Sequence, residues 1–205
     1  MAVSGLWRGA APLLLASGSP IRRDLLRAAG LPVETEPAAI DERALEAAMP
    51  GARPADVALG LARAKAEAVS RRRPGRVVVG ADQVLAFEGR TWPKPGHPAT
   101  ARGQLARLAG ATHELHSAVA IRTGDGEGAA FVETARLTMR PLDPEAIAAY
   151  VEAAGEAASR SAGGYEIEGL GIHLFDRVEG DTATIQGLPL LRLLAALRRM
   201  ELLAW

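Results

Sequence analysis

Short apolar runs alternate along the chain with longer stretches in which apolar residues recur every three or four positions, so strands interleaved with helices are expected. An apolar strand over Pro12–Ala16 leads through a polar turn into a helix over Pro20–Ala29. Ser19 can cap that helix, proline suits its first position and Gly30 suits a left-handed stop. A strand at Val33–Thr35 precedes a helix over Ala55–Arg72, with Val57, Leu61, Ala64 and Ala68 along one stripe and Pro74-Gly75 at its end. Val77–Phe87 reads as a buried strand, interrupted by the polar triplet Gly80-Ala81-Asp82 and turning at Glu88-Gly89-Arg90. A helix over Pro98–Leu108 is followed by hairpin strands at Thr112–Arg122 and Ala130–Arg140, joined by Gly124-Asp125-Gly126-Glu127-Gly128. Asp143 and Pro144 open a helix that runs to Ala154. The last third holds a glycine-rich stretch, Ala162–Gly171, a strand at Ile172–Arg177 and a helix over Leu188–Met200. That helix buries Leu190, Leu194 and Leu197 and leaves Arg192, Arg198 and Arg199 in water. The pattern predicts an α/β fold with a mixed sheet and no internal repeat or domain boundary, a single domain over 1–205 with a loosely ordered extension at 1–11.

Composition narrows the chemistry. Lysine plus arginine balances aspartate plus glutamate at 24 each, so the overall field favours neither nucleic acid nor an anionic membrane, and any anion site is local. With no cysteine there is no disulfide, thiolate metal site or cysteine nucleophile. The apolar run Ala10–Ala16 is far too short to span a bilayer, and the Ser17-Gly18-Ser19-Pro20 turn breaks it, so a cytoplasmic protein is expected.

Against that background a few positions stand out. Ser17-Gly18-Ser19-Pro20-Ile21-Arg22-Arg23 lies between a buried strand and a helix start, where free amides, two hydroxyls and two guanidiniums can cradle a phosphate. A capped helix with solvated arginines is the alternative. The spacing is not that of a Walker loop. Asp82 emerges from the most apolar strand of the chain. A carboxylate there needs a metal, a cation or hydrogen bonds, which makes it a candidate metal ligand or general base. Lys65 and Lys94 are the only lysines in an arginine-rich chain, which points to a need for a compact ammonium charge. Asp41-Glu42 is a further carboxylate pair, with a helix cap as its other reading. His113 and His116, three apart in a strand, point to opposite faces and cannot chelate one metal; they and the isolated His97 and His173 are read as structural.

In order, Leu13 to Arg23, Ile40-Asp41-Glu42, Ala62-Arg63-Ala64-Lys65-Ala66, Gly80-Ala81-Asp82-Gln83, Lys94-Pro95, Gly163 to Gly171 and Gly187-Leu188-Pro189-Leu190 resemble the Maf family of nucleotide pyrophosphatases over about residues 12–200. The resemblance implies an elongated α/β fold of two lobes related to the inosine-triphosphate pyrophosphatases, with nucleotide in the central cleft, in a cytoplasmic enzyme that needs Mg2+ or Mn2+ and is often a homodimer. Nucleoside triphosphate would be hydrolysed to monophosphate and pyrophosphate. It casts Asp82 as proton acceptor, Asp82 and Glu42 as metal ligands, Lys65 and Lys94 as catalytic cations, and Ser17, Ser19 and Arg22 as the phosphate turn. Ile21, Gln83 and Glu168 occupy the positions linked to base preference. Gln83, Glu168 and Ser161 resemble members acting on 7-methyl-GTP rather than those acting on dTTP and UTP, while Ile21 departs from both and Ser117-Ala118 departs from a usual Thr-Gly. The rival of another class is a nucleotide-binding regulator of septum formation without turnover. Retention of Asp82, Glu42 and both lysines counts against it, because binding alone needs fewer acids beside a polyanion.

Overall fold

The computed structural model describes residues 5–124 and 126–205. Its centre is the strand in which the sequence is most apolar. β3 (Val78–Phe87) lies between β1 (Leu13–Leu15), which runs parallel to it, and β5 (Thr112–Thr123), which is antiparallel. β2 (Val33–Thr35) adds parallel to β1. β6 (Gly126–Met139) and β7 (Phe175–Glu179) extend the antiparallel side, giving the order β2-β1-β3-β5-β6-β7. The sheet is mixed, as expected. β4 (Arg90–Trp92) folds back on the end of β3 from Leu85 onward, whereas β1 accompanies β3 only as far as Val79. Between these two partners, over Gly80–Val84, that edge of β3 has no neighbouring strand among the described residues. The gap is the notch around which the site is built.

Side chains alternate across the sheet, and the alternation sorts the core. On one face Leu14, Val78, Val84, Ala118 and Ala120 pack against Val57, Leu61, Ala62 and Ala66 of α3 (Pro54–Arg72), which follows α2 (Glu42–Ala47). The other face divides into two apolar clusters. At the β1 end Leu13, Val79 and Val119 meet Leu26 of α1 (Pro20–Ala28) and Leu193 and Leu197 of α8 (Leu190–Arg199). At the far end Leu85, Leu115 and Leu137 meet Leu105 of α4 (Pro98–Leu108) and Ile147 and Val151 of α5 (Pro144–Ala154). Gln83, Ser117 and Glu133, in register across β3, β5 and β6, form the polar row separating them. That row is the physical seam between the two apolar clusters of this face.

Most predicted elements stand within a residue or two of their expected ends, and the departures have local causes. The last helix starts at Leu190 rather than Leu188, because a residue before proline is pushed out of the helical region. The strand expected at Ile172–Arg177 begins at Phe175. Leu170–Leu174 is instead a tight 3-10 turn whose start is fixed by Gly169 and Gly171 both donating to the Glu166 carbonyl. The long hairpin strands extend to Thr123 and from Gly126 with a bulge at Ile121/Arg122, so the expected five-residue connection is shorter; its Asp125 lies outside the described residues. α2, α6 (Ala157–Arg160) and α7 (Thr182–Ile185) were not anticipated, being too short to show periodicity. Of the extension expected to be loosely ordered, residues 1–4 lie outside the described residues, whereas the rest is anchored. Leu6 is buried, Trp7 bridges Leu203, and Arg8 donates to the Leu202 carbonyl at 3.0 Å. Backbone groups of the C-terminal tail supply the partners that the sequence pattern did not reveal.

Candidate active site

The Ser17–Arg23 turn arises where β1 ends at the notch. Pro20 opens α1 and Ser19 caps it, its hydroxyl accepting from the Arg22 amide at 3.4 Å. Ser17 is buried and accepts from the Ser19 amide at 3.2 Å and from Arg22 Nη1 at 3.3 Å. Both hydroxyl oxygens therefore have structural duties, while each keeps a hydrogen to donate. Arg22 is more than a surface charge. Its Nη1 donates to the Ala81 carbonyl at 2.8 Å and its Nε to the Gly187 carbonyl at 2.9 Å, so one guanidinium ties α1 to the open edge of β3 and to the segment before α8. Burial lowers its pKa, while Asp82 and Glu42 pull it up. Ile21 sits beside it, partly buried at the start of α1.

Across the notch, on the α3 face, Lys65 and Asp82 form a buried ion pair with Nζ 2.6 Å from Oδ1, and Nζ also lies 2.9 Å from Oε1 of Glu42. Close packing makes this possible. A Cβ at Gly80 would lie 2.2 Å from the Ala62 carbonyl oxygen and 2.6 Å from the Ala66 nitrogen, so only glycine lets α3 run this near β3. The Gly-Ala-Asp triplet thus spaces a helix, and the helix delivers Lys65. Burial raises the pKa of Asp82 against the opposing pull of Lys65 and Arg22, favouring proton acceptance over that of an ordinary carboxylate.

Asp41 caps α2, the Ala44 amide donating to its Oδ1 at 3.0 Å, which frees the neighbouring Glu42 to reach Lys65. One turn later stands Glu46, a carboxylate that reading the sequence missed. Partial burial raises its pKa, with Asp82 and Glu42 adding to the effect. Glu42 and Glu46 are four apart on α2, a spacing that would have paired them had so short a helix been anticipated. A metal fits this set. Magnesium is commonly held by one or two carboxylates together with substrate phosphates, and Asp82 and Glu42 offer such oxygens; among the described residues no group of three acidic or histidine side chains forms a complete cage.

Gln83, next to Asp82, faces the opposite side of the sheet and donates to Ser117 Oγ at 3.0 Å and to the Ile185 carbonyl at 2.8 Å. Lys94 and Glu168 stand apart from this cluster. Both are exposed, in the connection before α4 and in the glycine-rich turn, and neither has a hydrogen-bond or ion-pair partner among the described residues. Ser161 donates to Glu166 at 2.9 Å. Two of the histidines have partners in the sheet region, His113 bonded to Tyr165 at 2.6 Å on one face and His116 to Thr134 at 2.9 Å on the other, while His97 and His173 are exposed. An open groove of about 670 Å3 lies beyond the start of α3, lined by Arg53, Glu88, Glu114, His116 and Arg136. It contains none of the predicted site residues, and its Glu114 is already paired with Arg136 and His116.

Fold and site define an α/β protein of mixed sheet in which a serine-arginine turn and a lysine-carboxylate cluster meet at an open strand edge. The family profile described as Maf-like protein matches residues 12–200, and the chain belongs to that family. It is 52% identical over 203 residues to a nucleoside triphosphate pyrophosphatase of Rhodopseudomonas palustris, covering 98% of this chain and 99% of that one. A 7-methyl-GTP pyrophosphatase of Mesorhizobium japonicum is 50% identical over 191 residues, covering 92% and 96%. Among solved structures, a nucleoside-triphosphatase described as dITP/XTP pyrophosphatase from Mycobacterium abscessus aligns with 63% of this chain and 75% of its own at 21% identity, TM-score 0.39.

Proposed function

We propose that this Maf-family enzyme hydrolyses a nucleoside triphosphate to the monophosphate and pyrophosphate with the help of Mg2+ or Mn2+. The observation that carries the reading is the buried Lys65–Asp82 pair at the open edge of β3, joined by the exposed Glu42, opposite a serine-arginine turn. A triphosphate approaching Asp82, Glu42 and Glu46 meets like charge, and Asp82 and Glu42 are the residues that would hold a divalent cation to offset it. Held by Asp82 and Glu42, it would offset phosphate charge and lower the pKa of a bound water. Asp82 accepts the proton of the water that attacks the α-phosphorus, pyrophosphate leaves, and Lys65 holds Asp82 in place. Arg22 and the Ser17 and Ser19 hydroxyls donate to phosphate oxygens, and the exposed Lys94 is free to swing onto the leaving pyrophosphate. No covalent intermediate is needed.

For the base, Gln83 and Glu168 support 7-methyl-GTP over dTTP and UTP. A carboxylate accepts from the N1 and N2 hydrogens of guanine and favours the positive charge of the methylated ring, but it repels pyrimidine carbonyls. The name borne by the Mesorhizobium relative agrees with this choice. Among the described residues no helix is long and apolar enough to cross a membrane; a cytoplasmic homodimer, acting on free nucleotide and on neither nucleic acid nor membrane, is part of the proposal. The test is pyrophosphate release over a nucleotide panel with Mg2+, Mn2+ or chelator. Release is expected only with metal and with catalytic efficiency highest for 7-methyl-GTP. Tight nucleotide binding without release would favour the septum-regulator reading instead. A Gln83→Thr, Glu168→Gln double variant should move the ranking towards dTTP and UTP by roughly thirty- to a thousandfold, the size of a desolvated hydrogen-bond mismatch. An untouched ranking would remove both residues from base selection.

A further inference from the structure

Gln83 and Ser117 face each other across β3 and β5 in the polar row between the two apolar clusters. Ser117 is fully buried, and its hydroxyl donates to the Thr184 carbonyl at 2.7 Å. A serine hydroxyl has one hydrogen, so its oxygen can then only accept. Nε2 of Gln83 lies 3.0 Å from that oxygen, 2.8 Å from the Ile185 carbonyl and 3.3 Å from the Thr184 carbonyl. Three acceptors converge on one end of the amide. Turning the amide over would set Oε1 against all three, so the network decides an orientation that electron counts alone would leave ambiguous. The carbonyls are themselves held, because Asp181 caps α7 by accepting from the Thr184 amide at 2.9 Å and also bonds the Thr184 hydroxyl.

We propose that Ser117 is a positioning residue that locks the Gln83 amide, so that Gln83 meets the substrate base as a hydrogen-bond acceptor only. The proposal rests on the pyrophosphatase reading of the notch. Oε1, with no partner among the described residues, is the end left for a ligand. It matches a base edge that brings an N–H to that point and rejects one that brings a carbonyl or a bare ring nitrogen. Ser117 touches no substrate; it acts through Gln83.

Two readouts test this on the full chain. Side-chain amide exchange by 15N NMR should be at least about tenfold slower for Gln83 than for Gln186, since the Gln83 amide nitrogen is hydrogen-bonded to three acceptors and the Gln186 side chain has no such partner among the described residues. In Ser117→Ala that protection should fall, and KM for 7-methyl-GTP should rise about fivefold or more, by more than kcat falls, as expected for one mispositioned hydrogen bond. Ser117→Thr keeps the hydroxyl and should restore both. A wild-type Gln83 amide exchanging as fast as that of Gln186 would overturn the proposal. So would a Ser117→Ala protein that loses only kcat or thermal stability with KM unchanged. The amide readout needs no substrate, so a protected Gln83 in a protein that releases no pyrophosphate would sink the pyrophosphatase reading while upholding the lock.

Discussion

Asp82 is a carboxylate that the fold keeps only because other residues answer it. Lys65 at 2.6 Å supplies the counter-charge, and burial raises its proton affinity. Asp82→Asn keeps shape and volume and leaves Lys65 to Glu42, so the fold and nucleotide binding should persist. Turnover should drop at least about a hundredfold, the scale for losing a general base or a catalytic metal ligand. Near-normal turnover would take Asp82 out of the mechanism. Arg22 holds the Ala81 and Gly187 carbonyls, and under the proposed function it also meets phosphate. Arg22→Ala should therefore raise KM about tenfold or more and also lower the melting temperature, because two carbonyls lose a charged donor. If steady-state kinetics were unchanged, the turn would be a capped helix and nothing more. Of the residues that reading the sequence singled out as scarce or out of place, Asp82 and Lys65 are found touching, whereas the equally scarce Lys94 stands apart on the surface. Glu46 was missed because an exposed-looking glutamate carries no mark of its own, and Ser117 showed only as a departure from a usual Thr-Gly, with no hint of its partner.

At the scale of elements, the site depends on how closely α3 lies on β3. Gly80 sets that distance, and the atoms a Cβ would strike belong to helix backbone, which cannot step aside as a flexible side chain can. Gly80→Ala should cost about 1–3 kcal/mol of stability, the range for overpacking. It should also reduce turnover by more than tenfold as Lys65 is drawn away from Asp82. Calorimetry together with pyrophosphate release checks both. An alanine variant equal to wild type in melting temperature and in rate would show that the close approach is not needed. Elements with a strong period or clear punctuation, such as α1 between Ser19 and Gly30 or α4 from Pro98, could be read from the sequence to within a residue. The four-residue α6 and α7 could not, since one turn of helix leaves no period and is held by its neighbours.

Across the whole molecule, stability should depend on pH through a group far from the chemistry. His113 is buried among Tyr165 and Phe175 and bonded to the Tyr165 hydroxyl, and burial lowers its pKa from 6.5 to about 4. The folded protein thus holds the ring neutral where the unfolded chain would protonate it. That contribution is complete above about pH 6.5 and is lost as pH falls towards 4, amounting to about 3 kcal/mol over that window. Urea unfolding from pH 7.5 down to 4.5 should show the loss, and His113→Gln, which cannot titrate, should flatten it. Identical pH profiles for the two proteins would remove His113 as the cause.

The sequence by itself determined the alternation of strands and helices, the mixed α/β class and the turn at Ser17–Arg23, because local periodicity and capping chemistry are properties of neighbours along the chain; that Asp82, Glu42 and Lys65 share a site was implied only by the family resemblance. Only the tertiary structure decided where those groups meet: that β1 pairs with β3 only as far as Val79 and β4 only from Leu85, leaving an open edge, and that Asp82 and Gln83 serve opposite faces of the sheet. It also decided that Trp7 and Leu203 tie the two ends of the described chain together, that Ser117 borrows a carbonyl from a residue 67 positions away, and that Gln83 borrows one from a residue 102 positions away. Strand pairing and helix docking join residues far apart in the chain, and their geometry follows from how whole faces pack, which no local pattern contains.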